Sequence, residues 1–375
     1  MWTVSSAYER ARKAAERDAE SCRRTVDYLL EIYEGHLPGM SREEIGKILA
    51  ESNQERLDAV PDLNKYPELR GVREIVAAEW RGLRDGAKLT DAQWAASCNG
   101  LFHLHRHISG DIGRETGCSS VFFPESDRGP ILANNLDSAP SEPFGAPGWA
   151  ALNEHLVMQA VASGIFGDEL SPEIFPVPMD MLLGRYTRST DEAVEMLERY
   201  NLFWGPCNAM VIDRDRHVAM IEKSACRIGV RRSPDGFGFV TEMTAEEPSM
   251  RAYLAETRAA SLKARDLPEE CSDTVHWRDA DHRRELMQEL LDEARKNPTL
   301  EGLRRIIQFR DPKRGKVCYN GEILTPGGPP CNFTLRTTIW LLREGRAMWW
   351  AKEGDKPSFE NRKEDIEFKD VLLWD

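Results

Sequence analysis

Two short strings hold the residues best suited to chemistry. Gly117-Cys118-Ser119-Ser120-Val121-Phe122-Phe123 sets a cysteine at the head of an apolar run, and Ile131-Leu132-Ala133-Asn134-Asn135-Leu136-Asp137 ends a second run in Asn-x-Asp. Between them, Ser126-Asp127-Arg128-Gly129-Pro130 reads as a turn. The pattern predicts a β-hairpin with Cys118 opening one strand and Asp137 at the far end of its neighbour, so that thiol and carboxylate share one site. Cutting the Gly117–Cys118 bond would add an α-amine to the residue that carries the sulfur. Such an amine titrates near ~7.7–8.0 and a thiol near ~8.5, so the amine can take the thiol's proton directly or through one water. A glycine before the cysteine suits an acyl shift from nitrogen to sulfur, because its backbone tolerates strained geometry. Asp137 is expected to orient the amine or the thiol. Asn135, Asn208 or a backbone N–H is expected to stabilise the oxyanion, a donor typically worth about 3 kcal/mol. The competing reading of Cys118 is a reduced core thiol, since cysteine is among the most buried residue types.

The elements that must position these residues change character along the chain. Up to about residue 110 apolar residues recur at helical spacing, as in Val26, Leu29, Leu30 and Tyr33. Ser41-Arg42-Glu43-Glu44 and Thr90-Asp91-Ala92-Gln93 are capping boxes that open two of these helices. From Cys118 the pattern turns strand-rich, with strands also predicted around Asn153-Glu154, in Ala150 to Ser163. A helix is expected over Met179 to Arg188, and another, capped by Ser189, through Tyr200. Asn208 to Ile212 and His217 to Glu222 read as paired strands, and Ile228 to Val240 as a hairpin turning at Ser233-Pro234-Asp235-Gly236. Three helices are expected between Pro248 and Arg310, then strands at Thr334 to Leu342 and Ala347 to Trp350. Helices, strands, helices and strands in that order predict an α+β layered protein rather than a doubly wound one.

Bulk properties narrow the function classes. The chain has 375 residues, 41% of them hydrophobic, enough for a substantial core. A net charge of −13 repels phosphate backbones and argues against nucleic-acid binding. The basic residues from Arg304 to Lys316 read as a solvated helix end and loop. No apolar run is long enough to cross a bilayer and the N-terminus lacks a secretory layout, so a soluble, cytoplasmic protein with no membrane partner is expected. Eight scattered cysteines without a CxxC pair exclude a disulfide scaffold. There is no Gly-rich dinucleotide fingerprint and no phosphate loop, so no cofactor is expected. His103, His105 and His107 invite a metal reading, but no cysteine or carboxylate set completes it, so no metal is expected.

Taken in order, these pieces resemble the N-terminal-nucleophile hydrolases, specifically the acyl-CoA:6-aminopenicillanate acyltransferase group with its bile salt hydrolase and penicillin V acylase cousins. The resemblance spans roughly residues 100 to 355. It rests on Gly117 to Ser120 as a cleavage point, Asn134-Asn135-Leu136-Asp137, Leu152-Asn153-Glu154, Pro178 to Ala193, Cys207-Asn208 to Asp213, Glu222, Thr334 to Thr337 and Trp350 to Pro357. It implies a four-layer αββα sandwich behind a mainly helical N-terminal segment. Processing would give chains 1–117 and 118–375 that stay associated. The implied roles are Cys118 as nucleophile and base, Asp137 as its orienter and Asn208 as an oxyanion donor. Asn134 stands where bile salt hydrolases have an arginine, and His155 where a glycine is usual.

The expected activity is cofactor-free cleavage of a linear, non-peptide amide through an acyl-cysteine intermediate. With an amine instead of water as acceptor, the same nucleophile would perform N-acyl transfer from an acyl donor such as a thioester. A non-catalytic, unprocessed binding protein is the alternative from another class. Arg336, in an otherwise apolar strand, could bind a substrate carboxylate or sit in a salt bridge, and Asn134 is a second candidate for substrate contact. Trp204, Trp349 and Trp350 are candidates for an acyl pocket or for the core.

Overall fold

The computed structural model describes residues 4–17, 19–37, 39–58, 71–99, 118–138, 151–152, 155–161, 183, 187–199, 207–224, 227–242, 244–264, 275–322, 332–353 and 356–367. Gly117, Asn153, Glu154, Trp204, the three histidines of 103–107 and most of the helix expected at 179–188 lie outside these residues. The chain divides into two compact units, residues 1–114 with 172–178, and residues 115–171 with 179–375.

In the first unit the described elements are helices: α1 (Val4–Arg17), α2 (Ala19–His36), α3 (Arg42–Asp58), α4 (Val72–Ala87) and α5 (Asp91–Asn99). Both capping boxes form. Ser41 N donates to Glu44 Oε2 at 2.8 Å while Glu44 N donates to Ser41 Oγ at 3.3 Å, and Thr90 and Gln93 exchange the same pair of bonds. Ala15, Val26, Leu30, Tyr33, Ile45, Leu49, Ala95 and Ala96 form the core of this bundle. Glycine lets α1 and α4 touch through their backbones: a Cβ on Gly82 would sit 2.3 Å from the Tyr8 carbonyl oxygen.

The second unit mixes helices with antiparallel sheet. Its strands up to the middle of the chain are β1 (Cys118–Phe123), β2 (Ile131–Ser138), β3 (Ala151–Leu152), β4 (Leu156–Val161), β5 (Cys207–Asp213), β6 (Val218–Lys223), β7 (Ile228–Arg232) and β8 (Gly238–Thr241), with α6 (Thr190–Arg199) before β5. Helices α7 (Pro248–Ala264), α8 (Val275–Ala294) and α9 (Leu300–Ile307) follow. Strands β9 (Arg310–Asp311), β10 (Gly315–Lys316), β11 (Asn320–Glu322), β12 (Asn332–Leu341), β13 (Arg346–Ala351) and β14 (Ile366–Glu367) come last. One sheet runs β14-β13-β12-β2-β1-β8, with β11 beside β12; a second runs β3-β4-β5-β6-β7.

The two faces of β1 are buried differently. Cys118, Phe122, Leu132, Val240, Trp340 and Ala347 of the first sheet meet Val157, Met210, Ile212, Val218 and Met220 of the second. On the opposite face Val121, Phe123, Ile131, Ala133, Ile339 and Trp350 are covered by Leu286, Leu290 and Leu291 of α8 and Leu303, Ile306 and Ile307 of α9. Burial on both sides explains why β1 reads as a nearly continuous apolar run. Trp350 is thus a core residue. The hairpin turn closes on Gly129 at φ 78°, whose N–H bonds to the Ser126 carbonyl at 3.1 Å. On the second sheet, α6 is tied to the end of β5: the Thr190 N–H and hydroxyl donate to Asp213 Oδ2 at 3.0 and 2.9 Å.

Gly82→Ala is expected to force α1 and α4 apart and to destabilise the helical unit by about 1–3 kcal/mol, read as a lower denaturation midpoint by circular dichroism.

Candidate active site

Cys118 heads β1 and lies opposite Leu136 of β2, and Leu136 lies opposite Arg336 of β12. The three form a row across the sheet on the side that faces the second sheet, and the next row is Ser120, Asn134 and Thr338. Asn134 Nδ2 donates to the Ser119 carbonyl at 3.3 Å and to Ser120 Oγ at 3.0 Å, bracing the strand that carries the thiol. Cys118 is only 3% exposed. Burial pushes the Arg336 guanidinium down to about 10, while its attraction to Cys118 acts to raise it. At neutral pH Arg336 is therefore a cation on the thiol's face.

Two other buried cysteines, Cys207 and Cys318, have described side chains. Burial pushes Cys207 up to about 12 against the pull of Lys223, and Cys318 likewise to about 12. Both stay thiols at neutral pH, as structural cysteines do.

Asp137 follows Leu136, so its side chain leaves the opposite face of the sheet. It accepts from Thr334 Oγ1 at 2.5 Å and from Arg283 Nη1 of α8 at 3.2 Å. The expectation that thiol and carboxylate share one site is therefore corrected. The hairpin forms with the anticipated ends, but its register sends sulfur and carboxylate to different faces.

Around Asp137 is a buried cluster that the sequence did not disclose. Arg283 Nη1 also reaches Ser119 Oγ at 3.4 Å, and Arg283 Nη2 donates to Glu242 Oε1. Asp137 and Glu242 are fully buried and Arg283 is 2% exposed. The Glu242 N–H donates to the Cys118 carbonyl at 3.2 Å, joining this cluster to residue 118. Tyr319 packs its ring 4.9 Å from the guanidinium carbon and donates its hydroxyl to Asp279. Burial opposes the charge of Arg283, yet Tyr319, Glu242 and Asp137 hold it above its ordinary range. Burial drives Asp137 well above the usual carboxylate range; Arg283 and Thr334 pull it down, and Glu242 and Asp279 push it further up.

The expected oxyanion donors are otherwise engaged. Asn208 Nδ2 gives both hydrogens to the Thr241 and Thr244 carbonyls, at 2.7 and 2.8 Å, leaving Oδ1 without a partner among the described residues. Asn135 lies on the Asp137 face, where Nδ2 donates to the Ile307 and Val317 carbonyls and Oδ1 accepts from Thr337. In this arrangement neither amide has an N–H left for an oxyanion beside Cys118.

Two further features lie away from Cys118. A cavity of about 370 Å³ sits by the β7–β8 turn, at the Phe122 end of β1, but its three arginines are paired with carboxylates. Asp213, Asp215 and His217 bring ligand atoms within 4.8 Å of one another, but Asp213 is already occupied by Thr190 and the His217 N–H.

No protein-family model and no curated protein matches this chain. Among solved structures, a mutant of the conjugated bile acid hydrolase from Clostridium perfringens aligns over 69% of this chain and 99% of its own, at 10% identity and a TM-score of 0.36. A second variant of that enzyme aligns over 70% and 92%, at 11% identity and a TM-score of 0.30. At such values the functional assignment rests on the geometry around Cys118. Among the described residues, no helix is long and apolar enough to cross a membrane.

A carboxyl raised in the folded state contributes stability that is present below its unfolded value and is lost as pH climbs through the folded one. In uncut protein, Asp137→Asn is expected to raise the melting temperature relative to wild type more at about pH 8 than at about pH 4. Paired thermal melts across that window read the effect; equal differences at both ends would remove Asp137 as its source.

Proposed function

We propose that this protein is a cysteine N-terminal-nucleophile amidohydrolase that cuts its own chain at Gly117–Cys118 and then hydrolyses a linear, non-peptide amide. The observation that carries the reading is the position of Cys118. It opens a central strand, with the Arg336 cation on the face of its sulfur and the Asp137 carboxyl on the opposite face of the sheet. Helices over one face of the first sheet, the second sheet on its other face and α6 at the end of β5 support an αββα sandwich.

In self-processing, Sγ adds to the Gly117 carbonyl carbon, the C–N bond breaks, and the thiol's proton goes to the nitrogen. Water then hydrolyses the thioester, restoring the thiol and leaving Gly117 as a carboxylate. In turnover the α-amine takes the thiol's proton, the thiolate attacks the substrate amide, and the leaving amine is protonated by the ammonium. Water releases the acid from the acyl-cysteine. Since Asn208 and Asn135 have committed their amide hydrogens, oxyanion stabilisation is assigned to a backbone N–H or to Arg336. Asn134 braces the nucleophile strand, in place of a substrate contact. The product of processing is residues 1–117 and 118–375, held together without a covalent link. An amine acceptor in place of water would give acyl transfer with the same intermediate.

Mass spectrometry of purified wild-type protein is expected to show two fragments, the larger beginning at Cys118, and Cys118→Ala is expected to stay whole. A wild-type chain that remains intact after prolonged incubation would refute the proposal and favour a binding protein. Arg336→Met is expected to slow iodoacetamide alkylation of Cys118 at neutral pH by about tenfold, the effect of one unit in thiol acidity. Arg336→Lys should recover part of that loss. Peptide mapping at Cys118 provides the measurement.

A further inference from the structure

We propose that Glu242 and Arg283, with Asp137, form the receiving site for the α-ammonium that cleavage creates at Cys118, with Glu242 as the positioning residue that occupies the guanidinium and leaves the second carboxyl for the ammonium. This rests on the processing reading above and adds a device to it.

Two buried carboxylates share one guanidinium, and all three side chains are at least nine-tenths buried. Glu242 Oε2 has no hydrogen-bond partner among the described residues, a costly condition for a buried carboxylate oxygen. The cluster is anchored to the nucleophile's strand at two points, through the Glu242 N–H on the Cys118 carbonyl and through Ser119 Oγ on Arg283. Asp279 lies at the edge of the cluster: its charge acts on Asp137 and Arg283, while it takes the Tyr319 hydroxyl and lies 4.0 Å from Lys316 Nζ. The acceptor without a donor thus belongs to a residue whose backbone is hydrogen-bonded to residue 118.

Charge is conserved across the step. In the uncut chain Arg283 balances Glu242, and Asp137 keeps its proton, as its raised pKa favours. Once the thiol's proton has gone to nitrogen and the C–N bond has broken, the neutral amine takes the proton of Asp137, and it hands that proton back before serving as base in turnover. The result is an ammonium and a second carboxylate, so the cluster is again neutral with two cations and two anions. A low-dielectric site disfavours net charge, so a cluster that is neutral before and after cleavage lowers the cost of creating a buried ammonium. With glutamine at 242, Asp137 would give up its proton to balance Arg283, and the new ammonium would carry an uncompensated charge.

The test uses the full chain in two backgrounds. Glu242→Gln is expected to leave the melting temperature of the uncut Cys118→Ala protein unchanged or higher. With Cys118 present, the same substitution is expected to slow cleavage by about tenfold or more, read by intact mass over time. Glu242→Asp, which keeps the charge, should cleave within a few-fold of wild type, and it supplies the decisive reading if Glu242→Gln fails to fold. Wild-type cleavage rates in Glu242→Gln, or an Asp variant as slow as Gln, would overturn this inference alone. Absence of cleavage in the wild type would overturn it together with the proposed function.

Discussion

The site is organised around a single guanidinium buried beneath a sheet. Arg283 reaches from α8 to bond Asp137 on β2, Ser119 on β1 and Glu242 just past β8, so one side chain fixes three neighbouring strands at the same end. A buried charge of this kind is poor value as a stabiliser, since desolvation offsets most of the Coulomb attraction. What it supplies is placement. Removing Arg283 would leave both carboxyls without their shared donor in a dry interior, so the guanidinium holds them where they are. The apolar layer of α8 and α9 on that face keeps water out and sustains the low dielectric on which the arrangement depends.

The sheet also acts as a partition. Successive side chains alternate across it, so β1 presents Cys118 to the space between the sheets and Ser119 to the helices. Sulfur and Arg336 share one side; Asp137, Arg283 and Thr334 share the other. The nitrogen of residue 118 belongs to neither face, which allows it to communicate with both. A nucleophile whose base is its own backbone nitrogen fits this geometry, because thiol and amine need different electrostatic surroundings. One requires a cation to favour thiolate, and the other requires carboxylates to favour ammonium.

Arg336 reaches the thiol's face through an irregularity. Thr334 pairs with Asp137 and Arg336 with Leu136, so the register shifts between them. In a regular strand residues two apart point the same way, and both would have pointed at the helices. The bulge reverses that, leaving Thr334 on Asp137 and sending Arg336 toward Cys118. Such shifts re-aim side chains without altering the composition of the strand.

Local chemistry was readable in the sequence by itself. Ser41 with Glu44, Thr90 with Gln93, the Gly129 turn and the pairing of β5 with β6 across a short polar turn each involve groups close in sequence, whose geometry the backbone dictates. The cysteine heading a hairpin strand and the acid ending its partner were legible for the same reason. Which face each side chain takes depends on register, and a slip of one residue reverses every assignment. Register here is set by packing against a second sheet and two helices far along the chain. Arg283 lies 146 residues from Asp137 and Glu242 lies 41 from Arg283; no short motif could join them. The engagement of Asn135 and Asn208 by distant carbonyls was hidden likewise, since an amide's free hydrogens are known only once its neighbours are. Sequence thus determined the candidate nucleophile and the hairpin that carries it. Tertiary structure alone decided which charges meet it, because buried electrostatics depend on distance in space and not on separation along the chain.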